Sequence, residues 1–243
     1  MRDNPLNVVI VGGSLAGLMH GVMIKRLGHN ELLRKIDHCD GEYALLSPGI
    51  QYVDTDLNVT GYRKVTQMLT SWNVLYYRLR ANFDGFQSDY CTKSREELEE
   101  QGEAVYNIGK RVTDVTYTDC LVTVKFDDLI NGGRGHLQPD LRPYAGYLKW
   151  RGTVAEKDVT EETKALFNEK VTLNVMDHSY IVLYTIPGES GSFKPGERLL
   201  NFVWYCNCPE DSSEFKNAMT DIDGHFHRST LPPGKMREDV WAR

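Results

Sequence analysis

The stretch NVVIVGGSLAGLMHGVMIKRLGHN, from Asn7 to Asn30, decides how the fold begins. Four β-branched residues, Val8 to Val11, read as a buried strand. Gly12, Gly13 and Ser14 then interrupt it, and apolar residues return at helical spacing from Leu15 onward. A strand, a glycine-rich turn and a helix in that order form the opening unit of a dinucleotide fold. There the first glycine permits the tight turn, the second place lets backbone approach a pyrophosphate, and the third lets helix and strand pack closely. Those places fall on Gly12, Ser14 and Gly17. Serine in the middle place is still small and adds a hydroxyl, while Gly13 supplies flexibility. The N–H groups at the start of the helix, from Leu15 and Ala16 to Gly17, are expected to face phosphate. Gly28 suits the helix C-terminus. Asp37 lies twenty residues past Gly17, where the fingerprint allows a ribose-binding acid.

The composition fits a globular chain of ordinary make-up. Of 243 residues, 41% are hydrophobic and 26% charged, and no apolar run is long enough to span a bilayer. No leader precedes the first strand, so the expected location is cytoplasmic. The net charge of −6 argues against nucleic acid as a partner. The acidic run SREELEEQGE, Ser94 to Glu103, reads as a solvated face. Five scattered cysteines define no disulfide framework, and Cys206 and Cys208 lack the companions of a zinc site. His225 and His227 in DGHFHR read as a polar turn, and no metal is expected.

Periodicity divides the rest. ELLRKI, Glu31 to Ile36, and GIQYVDTD read as strands, and TSWNVLYYRLRANF, Thr70 to Phe83, reads as a helix capped by Ser71. AVYNIGKRVTDVTYTDCLVTVKFDD alternates as two strands with a turn at YTDC, and INGGRG follows with hairpin chemistry. From Tyr144 the chain becomes a series of long β-prone runs, YLKWRGTV, KVTLNVMDHSYIVLYTI and RLLNFVWYCN, interrupted by one helix at Thr160 to Lys170. The expected class is therefore α/β: a Rossmann-like first lobe, residues 1–143, and a mostly antiparallel β lobe, residues 144–243.

VVIVGGSLAGL, TSWNVLYYRLRANF, RPYAGYLKWRGTV and RLLNFVWYCN together resemble the flavin-dependent aromatic hydroxylases of the 2,6-dihydroxypyridine 3-monooxygenase type, particularly their fungal members. The resemblance implies an FAD-binding lobe and a substrate lobe whose sheet covers the flavin ring. It also implies a reaction in which NAD(P)H reduces FAD, O2 is captured and an electron-rich aromatic or secondary metabolite is hydroxylated. Set against that family, the chain departs in several places. Lys35 stands where the family has a ribose-binding Glu, leaving Asp37 as the substitute. The glycine-rich segment expected near DHCDGEYALL and the Asp-Gly motif expected between Gly135 and Leu141 are missing. The chain reaches LPPGKMREDVWAR without the family's later Gly-Asp motif. The expectation is an incomplete cofactor lobe with weak or absent FAD binding. An apolar sheet face left open would then favour self-association.

Within the second lobe the resemblance points to Tyr147, Trp150 and Tyr205 as substrate-facing residues, and to His178 and Tyr180 as groups that deprotonate a phenol-like ring and so raise its electron density. Alternation places Tyr147 and Lys149 on one sheet face and Trp150 on the other. Two alternatives stay open. The chain is either a non-catalytic binding remnant that keeps the aromatic lobe, or an incomplete gene product.

Overall fold

The computed structural model describes residues 8–25, 37–91, 103–118, 121–130 and 143–241. The chain folds as two compact units, Met1–Ala44 with Thr70–Leu137 and Glu189–Phe193, and Leu45–Leu69 with Gln138–Gly188 and Lys194–Arg243.

The first unit is built on two helices. Helix α1, Leu15–Lys25, and helix α2, Trp72–Asp84, bury Leu18, Val22 and Leu79 against each other. Leu15, Met19 and Met23 border that core, so α1 presents one apolar stripe at three- and four-residue spacing. The Ser71 hydroxyl accepts the Val74 N–H at 3.2 Å and starts α2. Gly85, at φ 71°, ends it in the left-handed conformation. Strands β3, Lys110–Thr118, and β4, Leu121–Asp128, pair as an antiparallel ribbon.

Val8–Ile10, expected as the opening strand, join no ladder among the described residues, and Val9 and Val11 are 69% and 60% exposed. A strand exists only by its pairing, and apolar composition cannot create it without a neighbour. Glu31–Ile36 with Lys35, Gly28 and residues 131–135 of INGGRG lie outside the described residues, as does most of the acidic run.

The second unit is one six-stranded sheet in the order β2-β1-β6-β7-β8-β5. Its strands are β1, Leu45–Val53; β2, Val59–Leu69; β5, Tyr147–Ala155; β6, Val171–Met176; β7, Ser179–Ile186; and β8, Leu199–Asn207. Only β1 and β6 run parallel; every other pair is antiparallel. A single boundary near Pro143 therefore does not describe the contacts, because β1 and β2 from the first half of the sequence belong to this sheet. Pro48 sits at a register shift in β1, where no ladder N–H is needed. Gln51 ties the sheet to helix α3, Glu161–Phe167, by donating to Leu166 O at 2.6 Å and to Thr172 Oγ1 at 2.8 Å. Helix α4, Ser213–Ala218, packs Phe215 with Met219 and Cys208 against Leu148. Short α5, Glu238–Trp241, closes the described chain. No described helix is long and apolar enough to cross a membrane.

Candidate functional site

The glycine turn retains the backbone features a phosphate requires. Gly12 has φ 109°, a conformation that side chains resist, and nothing crowds it. Ser14 O accepts the Leu18 N–H at 2.9 Å, the first bond of α1. The N–H groups of Leu15, Ala16 and Gly17 therefore precede the helical ladder, at the positive end of the helix dipole. Gly12, Gly13, Ser14 and Ala16 are exposed, and Leu15 and Gly17 half-buried. A Cβ on Gly17 would overlap the carbonyl of Gly12, which is the close approach the third glycine serves.

Gly13 has a different use from the one the sequence suggests. Tyr106 lies against it and donates its hydroxyl to Gly13 O at 2.6 Å, and a Cβ at Gly13 would overlap the tyrosine ring. Tyr106 is held in turn by Tyr76, hydroxyl to hydroxyl at 3.2 Å, and by Arg80, whose guanidinium stands 3.8 Å from its ring centroid. Burial and the Tyr76 hydrogen bond push the Tyr106 hydroxyl up to about 12. Arg80 also forks onto Asp84, at 2.8 Å for the closest pair. This support spans ninety-three residues of sequence and left no local signal.

Asp37, expected at a ribose, has its carboxylate engaged elsewhere. One oxygen pairs with Arg78, and the other accepts from Asn82 Nδ2 at 2.8 Å and Cys39 N at 3.0 Å. Its side chain is 4% exposed. Arg78 also donates to the carbonyls of Gly41, at 3.0 Å, and Glu42, at 3.2 Å, so the cluster fixes the 37–42 segment against α2. The first-unit residues thus fit the pyrophosphate of a dinucleotide at the turn, whereas its ribose finds no free acid at Asp37.

In the sheet, three of the five residues singled out for substrate chemistry come together. Tyr180 and Tyr205 stack with ring centroids 4.7 Å apart, and Tyr147 meets Tyr205 edge to face at 5.5 Å. The register explains this: Tyr180 pairs with Tyr205, Tyr205 with Lys149, and Tyr147 is two residues before Lys149 on the same face. Burial and the neighbouring phenols raise the Tyr205 hydroxyl above its ordinary value. Trp150 lies on the opposite face, paired with Trp204, as alternation predicts. His178 sits outside the ring cluster, in the turn between β6 and β7. It has φ 55°, its side chain is 79% exposed, and its Nε2 lies 3.5 Å from Asp177 Oδ1. Asp221 organises the DIDGHFH turn by accepting from His227 Nε2 at 2.7 Å and from the backbone N–H groups of Asp223 and His225. These bonds hold its carboxyl well below the usual range, at about 2.

Residues 144–243 match the FAD binding domain-like family. Over 265 aligned positions the chain is 25% identical to the 2,6-dihydroxypyridine 3-monooxygenase of Paenarthrobacter nicotinovorans, covering 95% of this chain and 64% of that protein. The chain is therefore similar to a 2,6-dihydroxypyridine 3-monooxygenase over most of its length and to the FAD binding domain-like family over its later part. The solved 2,6-dihydroxypyridine-3-hydroxylase from Arthrobacter nicotinovorans superposes with a TM-score of 0.57 over 98% of this chain and 56% of that one, at 20% identity. That likeness concerns the fold. The chain spans less than two thirds of the length of either relative. The match to the FAD-named family falls on the part that the sequence reading assigns to substrate, while the glycine turn lies in the part covered by the longer alignments.

Proposed function

We propose that the chain is an FAD-dependent monooxygenase-like protein of the cytoplasm, acting on a small aromatic or secondary metabolite with NAD(P)H and O2. The observation that carries this reading is the exposed turn from Gly12 to Gly17, with φ 109° at Gly12 and the N-terminus of an eleven-residue helix behind it. The FAD pyrophosphate would lie on Gly12, Gly13, Ser14, Leu15, Ala16 and Gly17. When bound, the flavin supplies the electron transfer and oxygen chemistry; the protein orients, desolvates and polarises. Tyr147, Tyr180 and Tyr205 would present an aromatic surface to the substrate ring, with Trp150 supporting the sheet from its other face. Tyr180 and His178 are the groups proposed to take a proton from a phenol-like substrate.

A second reading, an aromatic-binding protein without flavin turnover, is favoured by one observation: the Asp37 carboxylate is committed to Arg78 and Asn82. FAD should then be held weakly. We also infer self-association through the exposed apolar residues Val8–Val11 and the β3–β4 ribbon. The test is an absorbance spectrum of the purified protein with added FAD, followed by NADH and NADPH consumption with and without aromatic compounds. Consumption stimulated by an aromatic compound supports the monooxygenase reading. Aromatic binding without any consumption supports the second.

A further inference from the structure

Two cysteines far apart in sequence meet in the interior of the first unit. Cys39, in the segment that leads into β1, and Cys91, in the turn after α2, pack together with Ala81 of α2, and the three are 7%, 6% and 5% exposed in that order. The two thiols are in hydrogen-bonding contact, and neither is in a disulfide. Alanine on α2 at this point leaves room for the two segments to approach each other.

Both sulfurs are carried on anchored backbone. Cys91 exchanges two backbone hydrogen bonds with Ser88, each at 3.1 Å, and so closes its turn. Cys39 N donates to Asp37 Oδ1 at 3.0 Å, while its sulfur accepts from Asn82 Nδ2 at 3.3 Å and lies 3.7 Å from the Arg78 carbonyl oxygen. Thiols already in contact need only a small approach to reach the S–S bond length of about 2.05 Å. The hydrogen bond with Cys91, together with burial, pushes the Cys39 thiol above its ordinary value, so Cys39 keeps its proton and Cys91 is the sulfur that ionises first. The burial of both sulfurs admits a small oxidant and excludes a bulky one.

We propose that Cys39 and Cys91 are a modification site, a dithiol that hydrogen peroxide converts to an intramolecular disulfide, with Cys91 as the attacking sulfur and Cys39 as the resolving one. The Cys91 thiolate attacks one peroxide oxygen; an S–O bond forms, the O–O bond breaks, and the departing hydroxide takes up a proton as water, leaving a sulfenic acid. The Cys39 sulfur then attacks the Cys91 sulfur; the S–S bond forms, the S–O bond breaks, and hydroxide leaves as water with the Cys39 proton. Two thiols together lose two electrons, and one peroxide becomes two waters. The new bond ties the 37–42 segment, and the Asp37 cluster with it, to the turn after α2. A dithiol reductant reverses it by exchange.

The test treats the whole chain, reduced and then freed of reductant, with hydrogen peroxide near neutral pH. Remaining thiols are alkylated in urea, the protein is digested without reduction, and the peptides are mapped by mass spectrometry. Support is a peptide pair joined through Cys39 and Cys91, lighter by two hydrogens than its separate parts and released by dithiothreitol. Dimedone should then label Cys91 in Cys39→Ala and leave Cys39 unlabelled in Cys91→Ala, each variant checked for folding by circular dichroism. The wild-type map needs no variant, so a substitution that fails to fold leaves it decisive. Recovery of both cysteines as alkylated thiols overturns the proposal. So does a link that forms only in urea, or one that joins either cysteine to Cys120, Cys206, Cys208 or a second chain. Dimedone on Cys39 rather than Cys91 overturns the assignment of attacking and resolving sulfur.

Discussion

Replacing Glu156 by glutamine tests how the second unit is held together at the end of its sheet. Glu156 follows β5 directly, and its side chain is 3% exposed. Its two oxygens accept four hydrogen bonds: from Arg198 Nη2 at 2.7 Å, Arg198 Nε at 2.9 Å, Gly196 N at 2.7 Å and Asn168 Nδ2 at 2.5 Å. The Arg198 hydrogen bonds, opposed in part by burial, hold its carboxyl at about 2 against an ordinary 4.5. A depression of that size corresponds to folding stability on the order of 3 kcal/mol. The folded-state value is the lower one, so this stability is fully present above about pH 4.5 and is lost as pH falls toward 2. Glutamine keeps the shape but turns an amide toward donors, so Glu156→Gln should lose about that amount at pH 7. The difference from wild type should narrow steadily as pH falls from about 4.5 toward 2, because the unfolded chain's Glu156 takes up a proton over that range while the folded carboxylate stays ionised. Urea unfolding followed by circular dichroism at several pH values measures both quantities. A difference that stays constant across that range, or is absent at pH 7, refutes the argument. Arg198→Met should cost more, roughly 3–5 kcal/mol, because it strands a buried carboxylate.

Three further outcomes are expected. Gly13→Ala should destabilise the first unit by roughly 1–3 kcal/mol through overlap with Tyr106, and pairing it with Tyr106→Leu should recover part of the loss in thermal melts. In an alkaline titration followed by tyrosinate absorbance, Tyr106 should ionise late, near 12, and that late component should shrink in Tyr106→Phe. Because its folded-state value is raised, the stability it contributes is complete below the ordinary phenol range and is lost as pH rises toward 12. A hydrophobic dye such as ANS should bind the native protein, given that Val9, Val11 and Leu121 are each at least 60% exposed, and a native sample without dye fluorescence would contradict this.

What the sequence discloses here is what depends on neighbours in sequence. Ser71 and the spacing of Val74, Arg78 and Leu79 define α2, because caps and helical faces are local. The facing of Tyr147 and Trp150 was legible because side-chain alternation in a strand is local too. Partnership is different. Val8–Val11 have strand composition, yet nothing in those residues supplies a ladder. Val59–Leu69 carries no clean apolar alternation and becomes a strand because Leu45–Val53 pairs with it. Asp37 stood at a ribose-binding distance by count, but Arg78 and Asn82, more than forty residues on, claim its carboxylate. The Tyr106 contact that fills the space beside Gly13 is equally non-local, and so is the union of Tyr180 with Tyr205.

The central claim is that the Gly12 to Gly17 turn is a dinucleotide phosphate site deprived of its ribose acid. Titration of the protein into FAD, followed by flavin fluorescence, tests it most directly, with Gly12→Val as the companion because a β-branched residue resists φ 109°. The loss of a few hydrogen bonds, each worth roughly 0.5–1.5 kcal/mol, removes several powers of ten in affinity. The account predicts a dissociation constant weaker than micromolar for the wild-type chain and a further loss in Gly12→Val. Submicromolar binding, or affinity that Gly12→Val leaves unchanged, would contradict it.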